Sequence, residues 1–494
     1  MSTKSVHPLY SSMLDKWRLG RDSYEGEDAI KASGTIYLPA TSGQIADGQG
    51  REDTLGEKAY QAYKMRAVYP DIFKDAVEAA IGIMHREPPK IDLPAQLEDM
   101  REDCTLLGES LEMLLRKINA RQLTTGRLGL LGDIRKDGDS VRPVIAIYNE
   151  MAIRNWDDTS ISDDDVDVRL VILDESGYEM DQSLTWTFVN KYRILGLVGE
   201  DGTLQPTGTY ASTVLREDDE VMGAILNSPS LTGNTLDQIP FVFVNSKDLS
   251  PSPDVPPLHG LAKLCLAIYR GEADYRQNLF MQGQDTLVRI GAQGDEDDVV
   301  RTGAGARIDV PIGGDAKYIG VSSNGLPEQR QALENDYRRA VQKSGQLLDA
   351  TSRAKESGDA LRIRVAAQTA TLPQIAKTGA AALERVLRAL ARWYGANEDD
   401  VKVTPNLNFT EADLNGQTLV QIVQSKGLGA PISEESIHEW MQDQGFTKLT
   451  YEEELKRLGE EEPAPPAIPS PVDTPPQGQQ PGQPGQEGQV DANQ

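Results

Sequence analysis

The chain has 494 residues, with 77 acidic and 50 basic side chains and a formal charge of −27. That length exceeds one ordinary domain; about three units is the expectation from size. So acidic a chain is not expected to coat nucleic acid, although the balance leaves open a protein that lets nucleic acid pass without holding it.

The first 250 residues read as mixed α and β. Residues 59–85 have helical spacing interrupted near Pro70. Residues 110–123 form a second helix candidate, with Leu111, Leu114, Leu115 and Ile118 on one stripe. Extended segments follow at 128–134, 143–148, 168–173, 184–197 and 241–244. Turn signals divide them, such as Asp137-Gly138, Ser176-Gly177 and Asp201-Gly202. An α+β fold with an antiparallel sheet is predicted.

After the stiff connector 250–257, residues 258–284 read as one uninterrupted helix. Some 26 residues would span about 39 Å. A Gly-rich section, 285–326, carries extended pieces at 286–290, 306–310 and 317–321. A second long helix starts near Pro327 and runs to about Asp349. A polar stretch, 350–358, precedes a third helix over 359–394. Pro373 is expected to kink that helix and Gly395 to end it. Residues 401–409 look like a strand. Short helices at 413–425, 433–442 and 451–458 close the folded part, with Ser433 as a cap. In the last 32 residues, Pro, Gln and Gly fill 20 positions, too little apolar matter to offset ordering entropy. This tail is expected to be disordered. Removing its three acids from the total leaves −24, so the charge belongs to the folded part.

Two long helices flanking a small β module make a hairpin with a β tip. Its apolar residues (Leu261, Leu264, Leu266, Ile268, Leu333, Tyr337, Val341, Leu347) need cover, which neighbouring copies in a ring would supply. An ordinary intramolecular coiled hairpin is the alternative.

The chain resembles the portal proteins of tailed bacteriophages. The resemblance is carried by His7-Pro8, Tyr10, Trp17, residues 25–31 and Tyr37-Leu38-Pro39. It continues through residues 60–67, 82–89 and 123–129, then Arg142-Pro143, Tyr148 and residues 153–156, and finally 239–242 and 273–276. No single piece is diagnostic; their order over roughly residues 7–425 is the signal. The resemblance implies a portal-type α+β subunit: a wing at 1–250, a stem at 251–284 and 327–349, and a clip at 285–326. It further implies a tunnel loop at 350–358, a tunnel helix and returning wing strand at 359–410, a crown at 411–462 and the tail at 463–494. Such subunits form a homo-oligomeric ring, usually of twelve, at one capsid vertex of the virion. They are assembled in the bacterial host cytoplasm and conduct double-stranded viral DNA during packaging and ejection, without reading its sequence. The implied partners are the terminase large subunit, head-completion, adaptor and tail proteins, and the major capsid and scaffold proteins.

Enzyme chemistry is not expected. The chain lacks GxxxxGK[ST], HExxH, CxxC and GxSxG patterns. The section 303–306 lacks the third glycine of a dinucleotide loop. The four histidines, His7, His85, His259 and His438, are scattered, and the acidic runs 295–298 and 163–165 read as solvated loops. No catalytic residue, metal site or cofactor is assigned. No run of about 18 apolar residues suggests a membrane span. The N-terminus lacks an apolar signal core, and two cysteines, Cys104 and Cys265, fit a reducing cytoplasm.

Bases against this acidic background are the candidate contacts. Arg353 and Lys355, in the polar stretch, would touch phosphate in a ring. On the second long helix, Arg338, Arg339 and Lys343, with Arg330, are channel candidates or partners of Glu334 and Asp336. Arg289, Arg301 and Arg307 would face DNA, the motor or an adaptor. The alanines of 359–394 (Ala366, Ala367, Ala370, Ala376, Ala380, Ala381, Ala382) suit subunit contact or simply reflect helix propensity. The competing functions are a capsid assembly or scaffold protein without a channel, and a DNA-processing enzyme with an unrecognised site.

Overall fold

The computed structural model describes residues 5–137, 140–158, 168–205, 207–216, 226–283, 286–289, 307–309, 316–319, 325–348, 371–407, 409, 424–426, 431, 433–443, 447 and 449–460. The chain divides into two compact units, Met1–Thr410 and Glu411–Gln494. The first is mixed helix and sheet, as predicted.

Helix α1 (Pro8–Glu25) opens the first unit, a helix not predicted from the sequence. Its start is chemically explicit: Pro8 sits in the first turn, and the His7 ring accepts from the Leu9 N–H at 3.2 Å. Short α2 (Glu27–Ala32) and α3 (Ser42–Ala46) follow, the latter closed by a Thr41/Gln44 capping box. The interruption expected near Pro70 falls between α4 (Leu55–Arg66) and α5 (Ile72–Met84). Ser110 caps α6 (Leu111–Thr124) by accepting from the Met113 N–H.

The strands are β1 (Lys90–Asp92), β2 (Arg127–Asp137), β3 (Ser140–Asn149), β4 (Ile153–Trp156), β5 (Leu170–Asp174), β6 (Gly177–Met180), β7 (Trp186–Val189), β8 (Lys191–Val198), β9 (Thr209–Arg216) and β10 (Phe241–Asn245). They form antiparallel sheets in the orders β10-β2-β3 and β4-β5-β8-β9, with β6-β7 as a separate hairpin. The single strand expected over 184–197 is therefore two, serving different sheets. β1 pairs with β14 (Lys402–Thr404), so residues 402–404 return to the N-terminal region. That strand is shorter than the one expected over 401–409.

Two long helices, α7 (His259–Gln282) and α8 (Leu326–Leu348), flank β11 (Thr286–Arg289), β12 (Arg307–Asp309) and β13 (Ala316–Ile319). β11 is central, antiparallel to β13 and parallel to β12. Helix α9 (Leu372–Tyr394) starts with Pro373 in its first turn and stops at Gly395, whose φ is +76°. Pro373 thus stands in the first turn of the described helix; the expected kink turns on residues 359–370. Proline fits there because a first-turn N–H has no intrahelical acceptor to lose. Residues 359–370 lie outside the described residues.

Two apolar clusters organise the first unit. One joins α6, α9 and the two larger sheets; the other joins α1, α4, α5, α7 and α8. Helix α9 serves both. Leu372, Ile375 and Ala376 enter the second cluster, while Leu383, Val386, Leu387 and Leu390 enter the first, a stripe at helical spacing. Of the alanines read as subunit contacts, Ala376, Ala380 and Ala382 are instead buried within their own chain. Gly379 lies so close to Asn119 and Gln122 of α6 that a side chain there would collide with them. Ala381 is exposed, and Ala366, Ala367 and Ala370 are outside the described residues.

In the second unit, Ser433 caps α10 (Glu434–Asp443), accepting from the Ser436 N–H at 3.0 Å. The ring of His438 stands edge-on to Tyr451, the first residue of α11 (Tyr451–Glu460), at 5.4 Å. The predicted helix at 413–425 falls mostly outside the described residues. No helix among the described residues is long and apolar enough to cross a membrane.

Candidate functional site

The α7–α8 hairpin carries the candidate bases. The two helices run antiparallel, as three contacts along their length show. Lys343 Nζ lies against Gly260, Leu333 packs on Gly271, and Asn278 donates to Gln329 Oε1 at 3.1 Å. A Cβ on Gly271 would stand 2.8 Å from Leu333 Cδ2, so glycine permits this close approach. Between them, buried Glu272 accepts from Arg276 Nε at 2.5 Å and from the Tyr337 hydroxyl at 3.3 Å. Both carboxylate oxygens are thereby satisfied, which a buried charge requires. Burial, reinforced by Glu272, pushes the Tyr337 phenol up to about 12.

The hairpin's cover is half intramolecular, which corrects the expectation that its own chain could not supply it. Leu261, Ile268 and Leu333 are buried, and Leu264, Leu266 and Tyr337 are partly buried against α1, α4 and α5. Toward the tip, Leu279, Phe280 and Met281 emerge into solvent, and Val341 is exposed near the root. The Leu347 side chain lies outside the described residues.

Several segments that carry the family resemblance meet where α4 crosses α7. Tyr63 donates to Asp274 Oδ1 at 2.5 Å, and Arg66 donates to Gln277 Oε1 at 2.8 Å. The Arg66 guanidinium also lies over the Phe280 ring at 3.6 Å. Tyr60 donates to the Leu38 carbonyl and Arg270 to that of Tyr37. A second joint gathers His7, Arg127 and Trp156: His7 stacks on Trp156 at 4.0 Å, and the Arg127 guanidinium lies between Trp156 and Phe243 at 4.7 and 4.8 Å. Arg127 is fully buried; burial lowers its pKa to about 9, and Asn245 Oδ1 accepts from it at 3.2 Å. These residues hold the hairpin base and the sheets in place.

Arg338, Arg339 and Lys343 are exposed on α8. Arg339 reaches Asp336 at 3.5 Å and Arg330 reaches Glu334 at 3.5 Å, both along the same helix. Such exposed pairs contribute about 0–1 kcal/mol, so either base can exchange its carboxylate for another anion at little cost. Arg289 is aligned with Asp309 and Ala316 across the small sheet, and Arg307 with Leu287. Arg301, Arg353 and Lys355 lie outside the described residues. Sequence reasoning missed a convergence at the first turn of α7. There Lys343 meets Gly260, and burial, with Lys263 and Lys16, lowers the pKa of His259. Three elements contribute, so no sequence spacing could have shown it.

Elsewhere the buried polar groups look structural. His85 bonds Asn119 at 2.8 Å. A cavity of about 310 Å³ is lined in part by Arg385, Arg388 and Arg392, where Arg388 pairs with Glu384 and Arg392 with Glu398. Its wall also carries the carboxylates of Glu398 and Asp399. Among the described residues, no three His, Cys, Asp or Glu side chains come together as metal ligands. The acidic runs 163–165 and 295–298 and the section 303–306 lie outside them.

Residues 257–394, which include α7, α8 and α9, match a family model described as a domain of unknown function, DUF4055. No curated protein matches the chain. Among solved structures, the chain is similar to one titled "Neck of native GTA particle computed with C12 symmetry". The identity is 12% and the TM-score 0.33, over 83% of this chain and 98% of that one. It is also similar to one titled "Neck of empty GTA particle computed with C6 symmetry", at 13% identity and TM-score 0.33, over 82% of this chain and 98% of that one.

Proposed function

We propose that this chain is a portal-type subunit: copies form a ring, expected to be of twelve, at one capsid vertex of a virion. The ring is a non-enzymatic conduit for double-stranded DNA during packaging and ejection. It docks the terminase motor and afterwards head-completion and tail proteins. One observation carries the reading: an antiparallel pair of long helices with a three-stranded module between them, rooted in a mixed α+β body. The ordered motifs of the family resemblance converge at its root. In the ring, α7 and α8 form the stem, residues 285–326 the clip, and 350–358 the tunnel loop.

The charge balance suits passage. Carboxylates lining a channel repel phosphate, and at physiological salt that repulsion reaches about 8 Å, so only lining residues act. The weakly paired bases of α8, with Arg353 and Lys355, would supply transient, sequence-independent phosphate contacts. Electron microscopy of the purified full chain tests the reading. Discrete rings with a central hole of duplex width are expected; a chain that stays monomeric at its highest soluble concentration would exclude it.

A further inference from the structure

The β6–β7 hairpin turns an apolar face to solvent. In its register Tyr178 opposes Phe188 and Met180 opposes Trp186, so all four side chains share one face. Each is at least half exposed: 69% and 52% for the first pair, 51% and 62% for the second. At the tip, Leu184 is 73% exposed and has a φ of +61°. A leucine in the left-handed region costs free energy that glycine would avoid. Folding of this turn therefore does not explain the leucine, whereas presenting an apolar side chain at the tip does.

The same chain carries a receptor for such a face. Between α6 and β3 lies a groove of about 620 Å³, floored by Ala120, Ile145, Ala146 and Ile147 and walled by Leu106 and Leu107. β3 is the outer strand of its sheet. Its Ile145 N–H donates to the Cys104 carbonyl at 2.7 Å. Beyond that bond no further strand pairs with its outer edge among the described residues. An open edge beside an apolar groove accepts an added strand. The charges also match. Lys117 and Arg121 stand at the groove, with Glu109 bound to Lys117, and Arg121 makes no ion pair among the described residues. The hairpin has no base between residues 177 and 190; its Glu179 is held by Lys191 and Arg216 on the opposite face, which leaves the exposed Asp181 near the tip as the acid to face Arg121. None of its residues lines the groove of its own chain.

We infer that the β6–β7 hairpin of one copy docks into the α6–β3 groove of a second copy. Knob and groove are different patches, so the contact is head-to-tail; it closes a ring if the rotation closes and extends a filament if it does not. From the ring reading it takes only that copies of this chain meet.

Two double variants of the full chain test it by sedimentation velocity: Trp186→Ser with Phe188→Ser, and Leu106→Glu with Leu107→Glu. All four positions are exposed, so an unchanged circular dichroism spectrum is expected. Each variant alone should need at least tenfold more protein to assemble. Mixed, they should form one-to-one pairs and nothing larger, because each retains one half of the contact. A hairpin variant that assembles like the wild type, or a mixture that stays monomeric, would overturn the inference. Normal rings from the hairpin variant would remove this contact and leave the ring reading standing. Wild-type filaments abolished by either variant would support the contact and remove the ring.

Discussion

Glycine to alanine at two helical positions should have opposite signs. Gly20, buried in α1, faces the C-terminal end of α6, where a Cβ would collide with the Thr124 carbonyl oxygen and lie 3.3 Å from its carbon. Gly82, on the exposed side of α5, has nothing within 4 Å of the same position. Alanine is favoured over glycine within a helix by about 1 kcal/mol. At Gly82 that gain is unopposed, so Gly82→Ala should stabilise by about 0.5–1 kcal/mol. At Gly20 the obstacle is backbone, which cannot rotate aside, and α1 must move off α6. Overpacking costs about 1–3 kcal/mol, and against immovable backbone the upper part of that range, about 2–3 kcal/mol, applies, leaving a net loss of about 1–2 kcal/mol after the gain from alanine. At roughly 2 °C per kcal/mol for a unit this large, calorimetry should place Gly20→Ala some 2–4 °C below the wild type and Gly82→Ala slightly above it. If both variants shift the same way, the α1–α6 contact does not have this geometry.

Glu150 is fully buried, and neither carboxylate oxygen has a hydrogen-bond partner; the neighbouring Thr125 hydroxyl donates to the carbonyls of Arg121 and Arg127 instead. Burial raises its pKa, so the folded state binds the proton more tightly than the unfolded one. Stability from this group is present below the unfolded value near 4.5 and is lost as pH rises through the folded value. Glu150→Gln should therefore stabilise at pH 8 by about 1–3 kcal/mol and have little effect at pH 4, as read by denaturant melts; equal effects at both would refute this. Burial also raises the phenols of Tyr148 and Tyr210. Stability should fall above pH 10, by up to about 1.4 kcal/mol per pH unit for each; an alkaline titration of the melting temperature that stays flat to pH 11 would contradict it. Tyr63→Phe removes a hydroxyl bonded to the exposed carboxylate of Asp274; solvent replaces part of that bond, so a loss of about 1 kcal/mol is expected, and an unchanged melt would sink the joint. Arg353→Glu with Lys355→Glu should leave ring formation intact and change packaged DNA content; wild-type genome content in such particles would defeat their role.

What the sequence determined by itself was local. Apolar spacing marked α5, α6, α7, α8 and most strands, Pro70 and Gly395 marked ends, and Ser433 announced a cap, because each signal acts within one or two turns of chain. The fold class and the helix–β–helix order followed from those signals. One local signal was read too broadly: residues 184–197 hold two strands because Asn190 separates β7 from β8. Tertiary structure decided which partner covers each face. Ala376, Ala380 and Ala382 of α9 pack inside their own chain, the root of the hairpin is covered by α1, α4 and α5, and the lysines at the first turn of α7 come from three elements. The exposed face of β6–β7 depends on register, and its groove on the meeting of α6 with the edge of β3. Such pairings join residues far apart in the chain, and side-chain periodicity specifies a buried face without naming what buries it.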